Sequence, residues 1–227
     1  MKFEMHSHVK EQSTDAKVSA SEYIALLQDK GYNGMVITDH FDSYQLYNTC
    51  PDEGLLKQCS KFLDGYRALK NAAIGTSIVV LLGMEYTLEY ESGFKHILLY
   101  GLTEEMIENG LIRPYMSLAE LRDVCLKNDV LIIQSHPMRY GEHVLPIEYV
   151  DGYEVVNSKP RRDYYATLYN ERIQEYVKGK DHLINIGGGD CHNIEDVGRG
   201  GIDTLKPICD MNDMKHVLRN GNYKIIW

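Results

Sequence analysis

Phe3-Glu4-Met5-His6-Ser7-His8, at the start of the chain, is the stretch whose reading decides the fold. Residues 2–6 suit a short strand. The two histidines stand two residues apart, and on an extended backbone such residues point to the same face. His6 and His8 can therefore present two imidazoles side by side at the end of a first strand. Neutral imidazole is a favoured donor for zinc, iron and similar ions. A His-x-His pair alone is a weak signal, because paired surface histidines are common and inert. Its meaning depends on what stands at the other strand ends.

After a polar loop over 9–20, Ser19 and Ser21 are cap candidates for a helix through Glu22–Leu27 that stops at Gly31. Gly34-Met35-Val36-Ile37-Thr38 then reads as a buried strand ending in Asp39-His40. This strand, helix, strand order implies a parallel pair. Residues 53–73 read as one long helix. The β-branched run from Ile78 finishes on Glu85, and after a turn at Gly93 comes His96-Ile97-Leu98-Leu99-Tyr100. Ser117 and Glu120 form a capping-box pattern for a helix over 117–128. Strands over 130–134, 152–156 and 183–187 end at Ser135-His136-Pro137, at Asn157 and at Gly188-Gly189-Asp190-Cys191-His192. Helices over 163–178 and 211–219 and a strand over 223–227 complete the pattern. No linker-like segment interrupts it, so residues 1–227 read as a single domain.

Most hydrophobic runs thus finish on a potential metal ligand: His6 and His8, His40, Glu85, His136, Asp190 and His192. In alternating β/α folds the chemistry sits at the C-terminal ends of the strands. His96 begins its strand, as suits one running back toward the same rim. Asp39-His40 could instead cap the next segment, and His136 could be a turn residue. Glu85 resists such a reading, because an unpaired carboxylate buried at a strand end costs several kcal/mol. Cys191 alternates with Asp190 and His192, so it faces the other way as a small buried hydrophobe. His143, His182 and His216 fall outside the pattern. Gly187-Gly188-Gly189 lacks the features of a P-loop or a dinucleotide fingerprint. Glycines there let backbone pass close to the metal site. No G-x-S-x-G nucleophile elbow occurs.

Composition narrows the class. The net charge of −9 and pI near 5.5 argue against a long nucleic acid as partner, which needs an excess of Lys and Arg on one face. Five cysteines form no C-x-x-C pair or disulfide framework. No secretion-signal core and no apolar run of membrane-spanning length occurs. The expectation is a cytoplasmic protein with reduced thiols, no membrane association and an open oligomeric state.

His6-Ser7-His8, Thr38-Asp39-His40, Gly83-Met84-Glu85 with His96, Ser135-His136-Pro137 and Asp190-Cys191-His192 resemble the successive motifs of the PHP (polymerase and histidinol phosphatase) superfamily. The resemblance spans residues 6–192. It implies an α/β fold, a distorted (β/α)7 TIM-like barrel with a trinuclear metal site at the strand C-termini. It implies that His6, His8, Glu85 and Asp190 hold one ion, that Glu85 bridges to a second held by His96 and His136, and that Asp15, His40 and His192 hold a third. Asp15 follows His8 by seven residues, one or two more than the family spacing, and Glu11 is the alternative. The cofactors implied are two to three divalent ions among Zn, Mn and Fe. Glu85, Asp190, His192 and His40 are the catalytic candidates, and water activated by the ions attacks phosphorus in line.

A phosphate site also favours Arg, whose planar fork matches phosphate oxygens. Arg139, Arg199 and Arg161 are the candidates, with Lys159 and Arg162 near the last. Ser-His-Pro-Met-Arg-Tyr resembles the His-Pro-x-Arg-Tyr pattern of stand-alone PHP phosphoesterases. The first expectation is a metal-dependent hydrolase of a small phosphomonoester, histidinol phosphate being one family precedent. The alternatives are a nuclease or phosphodiesterase acting on nucleotides or short oligonucleotides, and a non-catalytic metal-binding PHP module. Specificity is expected in loops around 42–52, 86–95, 102–116 and 138–148.

Overall fold

The computed structural model describes the chain apart from residues 91–92, 140–142 and 159–163 and the side chains of residues 90 and 164–167. The strands are β1 (Lys2–Glu4), β2 (Gly34–Ile37), β3 (His40–Phe41), β4 (Val79–Tyr90), β5 (Gly93–Tyr100), β6 (Leu131–Gln134), β7 (Gly152–Asn157), β8 (Ile184–Gly188), β9 (Gly201–Thr204) and β10 (Tyr223–Ile226). The helices are α1 (Ala20–Asp29), α2 (Ser43–Thr49), α3 (Leu55–Phe62), α4 (Asp64–Ala72), α5 (Glu104–Glu108), α6 (Leu118–Lys127), α7 (Tyr164–Val177) and α8 (Met211–Asn220).

The strands form one sheet in the order β10-β9-β1-β2-β4-β5-β6-β7-β8, with β3 beside β4. It curls into a nearly closed, barrel-like wall. Beyond the sheet path, Ser7 bridges Cys191, with His8 N donating to Cys191 O at 3.1 Å, so the chain leaving β1 meets the chain leaving β8. Pairing is parallel for β1/β2, β2/β4, β6/β7 and β7/β8. It is antiparallel for β4/β5, β5/β6, β1/β9 and β9/β10. The sheet is therefore mixed: β5, antiparallel to β4, starts beyond the rim that carries Glu85 and runs away from it, which leaves His96 at that rim.

Two expectations of the sequence change in detail. Residues 53–73 form two helices, α3 and α4, which meet at Leu63, where ψ is −5°. Leu63 is fully buried there, so the bend turns the apolar stripe onto the core. Glu85 is not at a strand end: β4 continues to Tyr90 as one arm of a long hairpin. The short elements β3, α2, α5 and β9 carry too few periodic residues to be legible. By contrast the capping boxes of α1 (Ser19, Glu22) and α6 (Ser117, Glu120) are present.

Strands buried on both faces need apolar residues in both phases. Phe3, Val36, Leu81, Leu98, Ile133 and Ile186 fill the interior, and α8 packs Met214, Val217 and Leu218 into the same layer. Leu82, Met84, Leu99 and Ile132 face helices outside, and Met35, Ile37 and Val80 face others together with Tyr23 and Leu27 of α1. Each such side chain contributes roughly 1.5–3 kcal/mol by leaving water. Two steps along from Leu98 stands His96, and two along from Ile133 stands Ser135. The period of two thus stacks a polar layer on an apolar floor.

Gly201 shows how tightly the closing strands are set. Its φ is +129°, and a Cβ there would lie 2.0 Å from Phe3 O. Gly221, the αL cap of α8, has φ +64° and open space around it. Gly221→Ala should therefore cost about 1 kcal/mol, the ordinary αL penalty. Gly201→Ala should cost about 3 kcal/mol or more, since strain and a backbone clash add. Thermal unfolding of the two variants checks the order.

Candidate metal centre

The structure brings all nine predicted ligands together. Glu85 is fully buried. Its Oε1 lies 3.2 Å from His6 Nε2, 3.1 Å from His96 Nδ1 and 3.2 Å from His136 Nε2. Its Oε2 lies 3.3 Å from His8 Nε2 and 2.9 Å from His40 Nδ1. Asp190 Oδ1 stands 3.9 Å from His6 Nε2 and 3.6 Å from His8 Nε2. Asp15 Oδ2 stands 3.0 Å from His192 Nε2 and 3.5 Å from His40 Nε2. Glu11 instead accepts from Ala20 N at the start of α1, at 3.0 and 3.1 Å. Of the two acids, Asp15 is the one that reaches the cluster.

Whether these groups fit metal ions can be judged from their unsatisfied atoms. His6 Nε2, His8 Nε2, Glu85 Oε2, His96 Nδ1 and His136 Nδ1 are buried and have no hydrogen-bond partner. A buried polar group left this way costs free energy. Several of these atoms lie within ion-pair distance of one another without hydrogen-bond angles, the geometry of lone pairs that converge on a shared point. Four overlapping groups have ligand atoms within 4.8 Å of one another: His6/His8/Asp190, His6/Glu85/His136, His40/Glu85/His96 and His8/His40/His192. The donor set fits divalent ions. The overlaps through His6, His8, His40 and Glu85 make one continuous centre.

Two ligands sit on unusual backbone. His136 has φ +28° and Asp190 φ +47°. Non-glycine residues are uncommon there and are held by their surroundings. What holds them is a set of buried carboxylates whose role the sequence did not disclose. Glu154 Oε1 accepts from His6 Nδ1 at 3.0 Å, while its Oε2 accepts from His136 N at 2.7 Å and Asn157 Nδ2 at 2.9 Å. Glu4 Oε1 accepts from Met5 N, His6 N and Gly189 N at 2.9, 3.1 and 2.7 Å. Asp39 Oδ1 accepts from Val9 N at 2.9 Å and Ser13 Oγ at 2.7 Å, so it ties down the loop that carries Asp15 and caps no helix. The available signal was an acid in the middle of an apolar strand, as in Gly152-Tyr153-Glu154-Val155. The glycines matter here too: a Cβ on Gly188 would lie 2.4 Å from Glu154 Oε1, and one on Gly189 2.5 Å from Glu4 Oε2.

Burial and crowding set the charges. Burial pushes Glu4 and Asp39 up to about 7. For Glu85 burial acts upward, yet the imidazoles of His6, His96 and His40 hold it well below the usual carboxylate range. Burial would depress His40, but Glu85 and Asp15 raise it to about 10. His6 is raised in the same way by Glu85, Glu154 and Asp190. Burial and the neighbouring His192 and His40 keep His8 well below the usual histidine value. The bond from His6 Nδ1 to Glu154 leaves Nε2 for the centre. His192 Nδ1 meets the Asp190 carbonyl at 3.0 Å, which frees Nε2 in the same manner.

Among the phosphate candidates, Arg139 Nη1 donates to Asp190 Oδ2 at 2.8 Å and so lies at the rim of the centre. Arg199 is half-buried between Gly198 and Gly200, and a Cβ on Gly200 would meet Gly188 O. Arg161, with Lys159 and Arg162, lies outside the described residues. His143, His182 and His216 are exposed and take no part. Cys191 is fully buried beside Val9 and Val18, as its phase in the sequence requires. A cleft of about 810 Å³ lies at the other end of the barrel, by Ile78, Val79 and Cys209, away from these groups. No helix among the described residues is long and apolar enough to cross a membrane.

The family model of the PHP domain matches residues 4–184. No curated protein matches the chain. Among solved structures, one neighbour is a two-domain protein of Bacteroides vulgatus containing a predicted PHP-like metal-dependent phosphoesterase. It has a TM-score of 0.71 and 13% identity over 100% of this chain and 64% of that one. An amidohydrolase of Chromobacterium violaceum with bound sulfate has a TM-score of 0.61 and 14% identity, over 99% and 98%. The lesion-specific endonuclease PfuEndoQ of Pyrococcus furiosus has a TM-score of 0.59 and 14% identity, over 99% and 57%. At these identities the likeness is one of fold.

Two outcomes follow from the geometry. Glu154→Gln can no longer accept from both His6 and His136 and should weaken metal binding by about 10- to 100-fold while the fold persists, as read by metal titration and circular dichroism. Because His40 is raised to about 10, an incoming ion displaces a proton below that value. Metal affinity should therefore rise with pH through the neutral range toward 10, with proton release visible by calorimetry in buffers of different ionisation heat.

Proposed function

The chain belongs to the PHP domain family, and from that membership we propose that it is a metal-dependent phosphoesterase acting on small phosphomonoesters. One observation carries the reading: nine candidate ligands from separate segments of the chain gather in one cluster, five histidines of them around Glu85, with buried ligand atoms left without hydrogen-bond partners. We read the nearly closed sheet as the distorted (β/α)7 barrel of that family, with β9 and β10 as additions along β1. The five free cysteines accord with a cytoplasmic setting. The net charge of −9 favours a small substrate over a polynucleotide.

His6, His8, Glu85 and Asp190 would hold one ion, Glu85, His96 and His136 a second, and Asp15, His40 and His192 a third. Bound there, such ions supply Lewis acidity, which activates water at neutral pH and neutralises phosphoryl charge. The chain's own residues do the rest. Glu85 offers one oxygen to each side of the centre. Glu154 and the Asp190 carbonyl fix which imidazole nitrogens face inward. Arg139 pairs with Asp190, and turning its fork onto a phosphoryl oxygen adds a charge-assisted hydrogen bond.

Purified protein supplied with Mn²⁺, Zn²⁺ or Fe²⁺ should release phosphate from members of a panel of small phosphomonoesters. Cleavage of a labelled single strand with no action on monoesters would overturn this in favour of a nuclease. A folded, metal-loaded chain inert on both would mark a non-catalytic module. Glu85→Gln should lose bound metal and at least about a hundredfold in activity. Arg139→Ala should raise the inhibition constant of inorganic phosphate by about tenfold, the value of a hydrogen bond to a charged group, with metal content unchanged. Loss of metal instead would make Arg139 structural.

A further inference from the structure

One arm of the metal centre leads outward. On β4, residues 85, 87 and 89 share a face by the period of two, and on β5 so do 94 and 96. The register pairs Thr87 with His96 and Glu89 with Phe94. Buried Glu85 and Thr87, half-buried His96, then exposed Glu89 and Phe94 thus make a continuous strip from the centre to solvent. The strip is one wall of a cleft of about 490 Å³, lined by Asp42, Tyr44, Thr87, Glu89, Phe94 and His96. That volume lies within the usual range of small-molecule sites, about 300–1,000 Å³.

The cleft presents two flat aromatic groups that the fold does not use. Phe94 is 59% exposed and Tyr44 70%. One face of Phe94 stacks on His96, with ring centroids 5.2 Å apart and planes at 18°. More than half of its surface stays exposed. A scattered exposed aromatic needs no explanation. Two on the walls of one cleft, with one of them stacked on a metal-centre imidazole, do. The opposite wall is fixed: Asp42 Oδ1 accepts from Gln45 N at 2.8 Å at the start of α2, and Asp42 Oδ2 accepts from Thr87 Oγ1 at 3.3 Å, so α2 and its Tyr44 are held against the hairpin. Asp42 and Glu89 add negative charge, which disfavours a second phosphate here.

We propose that this cleft is the subsite for the leaving group of the phosphomonoester, and that the leaving group is planar and aromatic, stacking between Phe94 and Tyr44 while its phosphoryl group reaches the metal centre. The proposal rests on the phosphomonoester reading and adds the chemistry of the organic part. It selects aryl and heteroaryl monoesters with one phosphate over aliphatic monoesters, polyphosphates and oligonucleotides. Aromatic stacking contributes beyond the area it buries.

Two phosphonates that cannot be hydrolysed separate stacking from apolar burial: phenylphosphonate, which is flat, and cyclohexylphosphonate, which is not. Titrated calorimetrically into the Mn²⁺-loaded chain, phenylphosphonate should bind roughly three- to tenfold more tightly. Phe94→Ala and Tyr44→Ala should each reduce that preference. Phe94→Leu keeps the apolar bulk but not the flat face, and should reduce it as well. Both positions are exposed, so the fold tolerates the changes. Equal affinities in the unaltered chain, no binding of either phosphonate, or a preference that survives Phe94→Ala would each overturn the subsite. The measurement needs no turnover. If the chain released no phosphate from any monoester of the panel, phenyl phosphate included, while the phosphonate preference held, the phosphatase reading would fail and the cleft would stand as a binding site for a planar aromatic group.

Discussion

One carboxylate surrounded by imidazoles is the interaction on which the site depends. Glu85 is fully buried, and His6, His8, His40, His96 and His136 all place a nitrogen within 3.3 Å of its oxygens. Alone, a buried carboxylate costs several kcal/mol, and so does each protonated imidazole. Together they offset one another, and a divalent ion bound there would satisfy the buried ligand atoms that have no hydrogen-bond partner. Glu85 can occupy this position because β4 runs through the wall of the barrel and not up to its edge. Its neighbours come from β5 and from the chain beyond β1, β2 and β6, so no local segment contains the site.

The second requirement is that the loops bearing the ligands stay in place. Glu4, Asp39 and Glu154 do this with buried acceptors aimed at backbone N–H groups of other loops. Each joins segments far apart in the chain: Glu4 to Gly189, Asp39 to Val9, Glu154 to His136. The positive φ angles at His136 and Asp190 persist because these contacts surround them. The glycines at 188 and 189 are the spaces the carboxylates occupy. The polar layer is as closely packed as the apolar floor beneath it, and this places the ligands for binding before an ion arrives.

Much of this was legible because strand periodicity and ligand chemistry are local. The apolar runs ending near His8, His40, Glu85, His136 and Asp190 could be read directly, and so could the inert placement of Cys191. The choice between Asp15 and Glu11 could not, because it depends on where a polar loop without periodicity folds. The break at Leu63 was hidden for a similar reason: both halves keep helical spacing, and only the surface they pack against requires the turn. Arg139 illustrates the opposite case, since its spacing from His136 marked it while its pairing with Asp190 came from a contact between the segments that follow β6 and β8.

By itself, then, the sequence determined the candidate donor set and the family, because metal-ligand chemistry is carried by residue type and by spacing along strands. It also determined the buried strands and the helix caps, which are set within a few residues. Only the tertiary structure decided which nitrogen of each imidazole faces the centre, which carboxylates support Glu85 and its neighbours, and that Phe94 and Tyr44 flank one cleft. These are matters of distance between residues remote in sequence, fixed by the register and curvature of a mixed sheet.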